Sequence, residues 1–157
     1  MLSLIYVSTV SGAMTNAEVE ALAERAAVFN AACRVTGMLA YNTLSFIQLL
    51  EGEEEDVLAI MRNIEADTRH NSINLIRKQE RSARECPDWS MRPIFVPLTA
   101  SGAASAFTGT LPEAMELDTK ILFTSFASQL TVSQAAANAE AHHEAEQASA
   151  QTAAGKT

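Results

Sequence analysis

The stretch Arg34–Gly52, RVTGMLAYNTLSFIQLLEG, decides the fold. It holds two strand-like runs, RVTGMLAYN and SFIQLLEG, joined across Asn42-Thr43-Leu44. So short a connection makes the pair a β-hairpin. In the second run, alternation sets Phe46, Gln48 and Leu50 on one face and Ile47 and Leu49 on the other. If both faces of the sheet are covered, Gln48 is buried among apolar neighbours. An amide buried without hydrogen-bond partners costs about 1–3 kcal/mol. Gln48 therefore needs partners from elsewhere in the chain.

Upstream of the hairpin, residues 2–8 read as a strand with Leu2, Leu4 and Tyr6 on one face and Ile5 and Val7 on the other. The turn STVSGAM follows. Thr15 then stands three residues before Glu18, a capping-box spacing that starts a helix. Val19, Leu22, Ala23, Ala26, Phe29, Asn30 and Cys33 recur along it at helical spacing and share a face. Downstream, EEEDVLAIMRNIEAD opens with carboxylates, as a helix N-terminus favours, and would bury Val57, Ile60, Met61 and Ile64. Glu53 to Asp56 radiate around the first turn rather than converge, which speaks against a metal site. After DTRHNS, INLIRKQERSAR reads as a strand of mixed polarity. CPDWSMRPIFVPL holds a turn at Pro87-Asp88 and a last strand from Met91 to Val96. The order β-α-β-β-α-β-β predicts an α+β, ferredoxin-like sandwich: a five-stranded mixed sheet with two helices on one face.

Residues 1–97 thus form one domain. From residue 98 to 130 a small-residue linker, TASGAASAFTGT, leads into amphipathic helices within LPEAMELDTKILFTSFASQL. Leu117, Ile121, Leu122 and Phe126 are expected to face inward, onto the sheet's other face. The tail, 131–157, is Ala-rich and polar, and reads as a frayed helix or a disordered end. The 157 residues are 48% hydrophobic and 19% charged, with a net charge of -8. With no Lys/Arg stripe, that balance excludes nucleic acid and anionic membranes as partners. The N-terminus MLSLIYVSTV has no cation before Arg25 and reads as a strand rather than a signal peptide, and no segment reaches the length of a membrane span. Cys33 and Cys86 form no CxxC pair, which fits two reduced thiols in the cytoplasm. His142-His143 offers too few ligands for a metal, and no metal is expected. No Ser/His/Asp set, P-loop or Gly-rich dinucleotide fingerprint is present, so no enzyme class is indicated.

Tyr6, Asn30 and Gln48 each put a polar group on a core-directed face. Singly, each has a plain structural explanation: a half-buried phenol, a helix-end cap, a satisfied loop. Together they supply a hydroxyl and two amides converging from two strands and the adjacent helix. Such a set would line a polar-edged pocket suited to a flat heterocycle bearing carbonyls and ring nitrogens.

LIYVS, FN…VTGMLAY, SFIQLLEG, DTRHNS and DWSMR, in this order and spacing, resemble a BLUF domain (blue-light sensor using flavin) over roughly residues 1–97. The resemblance implies a photosensory protein rather than an enzyme, with flavin held non-covalently between the two helices. The expected cofactor is FAD, with FMN or riboflavin as alternatives. It implies that Tyr6 is the photoactive tyrosine and Gln48 the glutamine between it and the flavin. Asn30 then bonds the flavin's polar edge, Arg69 is directed at a ring carbonyl, and His70 and Asp67 line the same end. Trp89 and Met91 correspond to the output residues near the glutamine.

Light would draw an electron and a proton from Tyr6, rearrange Gln48, and signal through the Trp89/Met91 strand and the C-terminal helices. The recipient would be a separate partner protein or self-assembly of a homo-oligomer. Two positions depart from the family pattern: Phe29 stands where a polar residue is common, and Ala26 where a serine is frequent. Two other readings stay open, a small ferredoxin-like flavin- or heterocycle-binding enzyme and a light-insensitive ligand-binding module.

Overall fold

A computed structural model of the chain describes residues 1–96 and 103–128. The first part of the expected linker, up to residue 102, and the tail from 131, with His142-His143, lie outside the described residues. The elements are β1 (Leu2–Val10), α1 (Asn16–Ala32), β2 (Thr36–Tyr41), β3 (Ser45–Gly52), α2 (Glu54–Glu65), β4 (His70–Glu80), β5 (Arg92–Phe95) and α3 (Ala103–Thr108). A further helix, α4, covers 117–128. The five strands form one sheet in the order β4-β1-β3-β2-β5. β2 and β3 pair antiparallel as the predicted hairpin, with Tyr41 opposite Phe46. Asn42 closes the turn by accepting from the Leu44 and Ser45 N–H groups through Oδ1. β5 joins β2 in parallel, which makes the sheet mixed.

The period-two pattern of the central strands sorts the core into two layers. Leu2, Leu4, Tyr6, Phe46 and Leu50 face α1 and α2, and pack on Val19, Ala23, Val57, Ile60 and Met61. Ile5, Met38, Ile47 and Leu49 face the other way, under Phe107, Leu111, Met115, Phe123 and Phe126. The C-terminal helices therefore cover the second face, as expected. The capping box Thr15/Glu18 starts α1 as predicted. At Gly37 a Cβ would lie 1.9 Å from the Leu49 carbonyl oxygen, so only glycine lets β2 run this close to β3.

Two expectations on apolar stripes are corrected. Leu117 and Ile121 point outward, 73% and 55% exposed. Of the four residues expected inward, Phe126 is buried and Leu122 half-buried, and Thr119, Phe123 and Ala127 complete the buried stripe of α4. The cause is polar: the Thr119 hydroxyl donates to Glu85 Oε1 at 2.6 Å, which turns that face of the helix inward. Phe29, expected on the buried stripe of α1, is 48% exposed, because α1 packs through Val19, Ala23 and Asn30.

Candidate functional site

Tyr6 and Gln48 are directly opposed in the antiparallel β1–β3 pair and so share a face. The Tyr6 hydroxyl donates to Gln48 Oε1. The other end of the same amide, Nε2, donates to Met91 Sδ at 3.7 Å. A thioether is a weak acceptor, so this end is held loosely. One residue earlier, the Ser90 carbonyl accepts from Asn30 Nδ2 at 2.9 Å. The segment ahead of β5 is thus gripped by α1 through Asn30 and by β3 through Gln48.

Above these groups a cleft of about 230 Å³ opens between α1 and α2. Leu22, Ala23 and Ala26 form one wall, Ile60 and Ile64 the other, and Leu39, Gln48 and Met91 lie at its base. Asn30, Asp67, Arg69 and His70 line it as well. Asp67 holds Arg69 through a fork of hydrogen bonds, with Arg69 Nε 2.9 and 3.0 Å from its two carboxylate oxygens. His70, at the start of β4, is buried, and its Nδ1 shares a hydrogen bond with Ser8 Oγ at 2.8 Å.

Burial and the nearby Asp67 charge push the Tyr6 phenol far up, so it stays a protonated donor across the ordinary pH range. The Arg69 hydrogen bonds pull the Asp67 carboxyl down to about 2. Desolvation lowers His70 from its ordinary 6.5, which favours the neutral ring.

Six of the eight expected site residues, Asn30, Gln48, Asp67, Arg69, His70 and Met91, line this one cleft, and Tyr6 lies beneath it, bonded to Gln48. The eighth, Trp89, parts company with Met91. Its ring packs against the core of the opposite face, with the Arg92 guanidinium 4.3 Å from the ring centroid. The chain turns at Pro87-Asp88, just ahead of Trp89, whose carbonyl is held by the Gly37 N–H at 2.8 Å. Sequence reasoning missed Ser8, although it shares the Tyr6 face two residues on, and the rim residues Arg25 and Asn63.

The donor set fits the flavin that the resemblance implies. Apolar walls suit a flat ring. Asn30 keeps Oδ1 and one N–H, and Gln48 one N–H, without partners among the described residues. Among these residues no cluster of His, Cys, Asp and Glu could hold a metal, and no helix is long and apolar enough to cross a membrane.

Comparisons with known proteins bear on the family and the fold. A family model described as BLUF, sensors of blue-light using FAD, matches residues 1–92. The solved dark-state structure of BlrB, a BLUF protein, is 35% identical with a TM-score of 0.58, covering 60% of this chain and 72% of that one. Klebsiella pneumoniae BlrP1, solved with FMN and cyclic diGMP, is 28% identical with a TM-score of 0.69, covering 82% and 35%. A bacterial light-regulated adenylyl cyclase is 26% identical with a TM-score of 0.59, covering 90% and 36%. The chain thus spans about a third of the length of the last two. No curated protein matches.

Proposed function

The chain belongs to the BLUF family, sensors of blue-light using FAD, and from that premise we propose that Tyr6, Gln48 and Met91 form its light-driven hydrogen-bond switch. The observation that carries this reading is the chain from the Tyr6 hydroxyl through both ends of the Gln48 amide to Met91 Sδ, at the base of the cleft. Asn30, Gln48 and Arg69 are the residues to hold the flavin, with His70 and Asp67 at the Arg69 end. A bound flavin supplies a blue-light absorber that becomes a strong oxidant when excited.

Tyr6 is the residue that gives up an electron and a proton, the proton passing along its existing bond to Gln48 Oε1. On return of both to Tyr6, the Gln48 amide is left rotated or tautomerised. An amide presents a donor or an acceptor at nearly the same volume, which makes two arrangements of similar packing available. Rotation exchanges the two ends of the amide, so the Nε2 bond to Met91 Sδ is given up together with the Tyr6 bond to Oε1. Output then runs through the 89–91 segment, whose two ends sit on opposite faces of the sheet, to the C-terminal helices. A separate partner or self-association receives it, and the exposed Leu117 and Ile121 support that surface. The free thiols Cys33 and Cys86 are consistent with a cytoplasmic protein.

Absorption spectra before and after blue light test the reading. The purified protein is expected to be yellow and to show a small, reversible red shift. A protein that stays colourless after reconstitution with flavin would sink it, and a yellow protein with no shift would favour the enzyme or binding-module alternatives.

A further inference from the structure

The exposure of the cleft's lining gives the cleft a direction. Asn30, Gln48 and His70 are buried at its base, whereas Arg25, Phe29 and Asn63 are exposed at its rim. Arg25 and Phe29 stand four residues apart on α1, so their side chains are neighbours on one helix face. The cleft has two arginines. Arg69 already has Asp67 as its counter-ion, but Arg25 makes no hydrogen bond or ion pair with any described residue. In a chain of net charge -8, an uncompensated cation at the rim is the natural counterpart of an anion on the ligand. Phe29 adds an aromatic face open to solvent, which suits a second flat ring.

We propose that Arg25 and Phe29 form a tail subsite at the cleft rim that selects a phosphate-bearing flavin, the dinucleotide above all, over riboflavin. The subsite rests on the flavin reading of the cleft. A ring held at the base by Asn30 and Gln48 sends its chain outward past this rim. Arg25 meets the phosphate there, and Phe29 offers a stacking surface to the adenine.

The test is titration of riboflavin, FMN and FAD into the flavin-free full-length chain, followed by quenching of flavin fluorescence. FAD should bind tightest and riboflavin weakest. Arg25→Gln should weaken FMN and FAD about five- to tenfold and spare riboflavin, and Arg25→Lys should restore most of the loss. Added salt should narrow the same gap. Phe29→Ala should weaken FAD about fivefold and spare FMN. Equal binding of the three flavins by the unaltered chain overturns the subsite and leaves the flavin reading standing. An equal loss for all three in Arg25→Gln also overturns it. Binding of none of them defeats the flavin reading itself.

Discussion

The two faces of the sheet bury polar groups in opposite ways. Under α1 and α2, Gln48, Asn30 and His70 each make one or two bonds to the protein and keep capacity toward the cleft. Under the C-terminal helices, buried polar groups are tied from several sides at once. Glu51 accepts from the Glu85 and Cys86 N–H groups. Glu85 binds Arg77 at 3.0 Å, the Thr119 hydroxyl at 2.6 Å and the Glu116 N–H at 3.0 Å. Arg77 also reaches Asp118, and Arg81 pairs with Asp118 and Glu116. One face keeps hydrogen-bonding capacity open toward the cleft, and the other uses its capacity within the protein. The segment from Glu85 to Met91 belongs to both, because it carries the lock at one end and the contact to Gln48 at the other.

The strongest way to break the contrast is to cut the lock. Glu85→Ala takes from Arg77 its buried partner, leaving the exposed Asp118 as its remaining carboxylate, and removes the acceptor of the Thr119 hydroxyl; it should cost about 1.5–3 kcal/mol in urea unfolding. The matched cut on the cleft face, Asp67→Asn, touches a half-exposed arginine and should cost no more than about 1 kcal/mol. Equal losses from the two would erase the distinction between the faces.

Tyr6→Phe comes next in size. It leaves Gln48 Oε1 buried without its donor, for a loss of about 1–2 kcal/mol. Its larger consequence is functional: the variant should still take up flavin yet show no red shift in blue light. An intact photocycle there would refute the role given to Tyr6.

How far the sequence reveals each face follows the same division. Alternation along 2–8 and 45–50 placed Tyr6 and Gln48 on the helix-covered face, and helical spacing put Asn30 opposite them, because local period alone decides such positions. Arg69, His70 and Met91 were reached only through family resemblance, since no periodicity points from a turn or an irregular segment into a cleft. Glu51 left a readable trace, as it continues the Ile47–Leu49 alternation and so had to be buried. Its partners did not, because Glu85 and Cys86 sit in a loop whose path is set by tertiary contacts. The same lack misdirected α4. Apolar residues lie on more than one side of that helix, and the choice between sides rests on Thr119 meeting Glu85, a contact 34 residues apart in sequence.

The smallest effect is the pH dependence of the cleft face. His70 is the cleft's titratable histidine, with Ser8 on its Nδ1, Tyr6 and Phe46 against its ring, and Asp67 and Arg69 as the charges acting on it. Burial depresses its folded pKa below the ordinary 6.5, outweighing the pull of Asp67 in the other direction. The unfolded chain therefore takes up the proton first as the pH falls. Stability is full above 6.5 and is lost as the pH drops toward the folded value, with a slope no steeper than about 1.4 kcal/mol per pH unit for one proton. His70→Gln should flatten this slope. A second loss should survive that substitution at lower pH. Asp67, ordinarily near 3.8 and held at about 2 by Arg69, contributes stability above 3.8 that disappears as the pH falls through 2. Urea midpoints measured across the acid range should resolve the two windows, the upper flattened by His70→Gln and the lower reduced by Asp67→Asn, with Asp118 and Glu18, also held below their ordinary values, supplying the remainder of the lower loss. A His70→Gln variant that keeps the upper slope would move its origin out of the cleft.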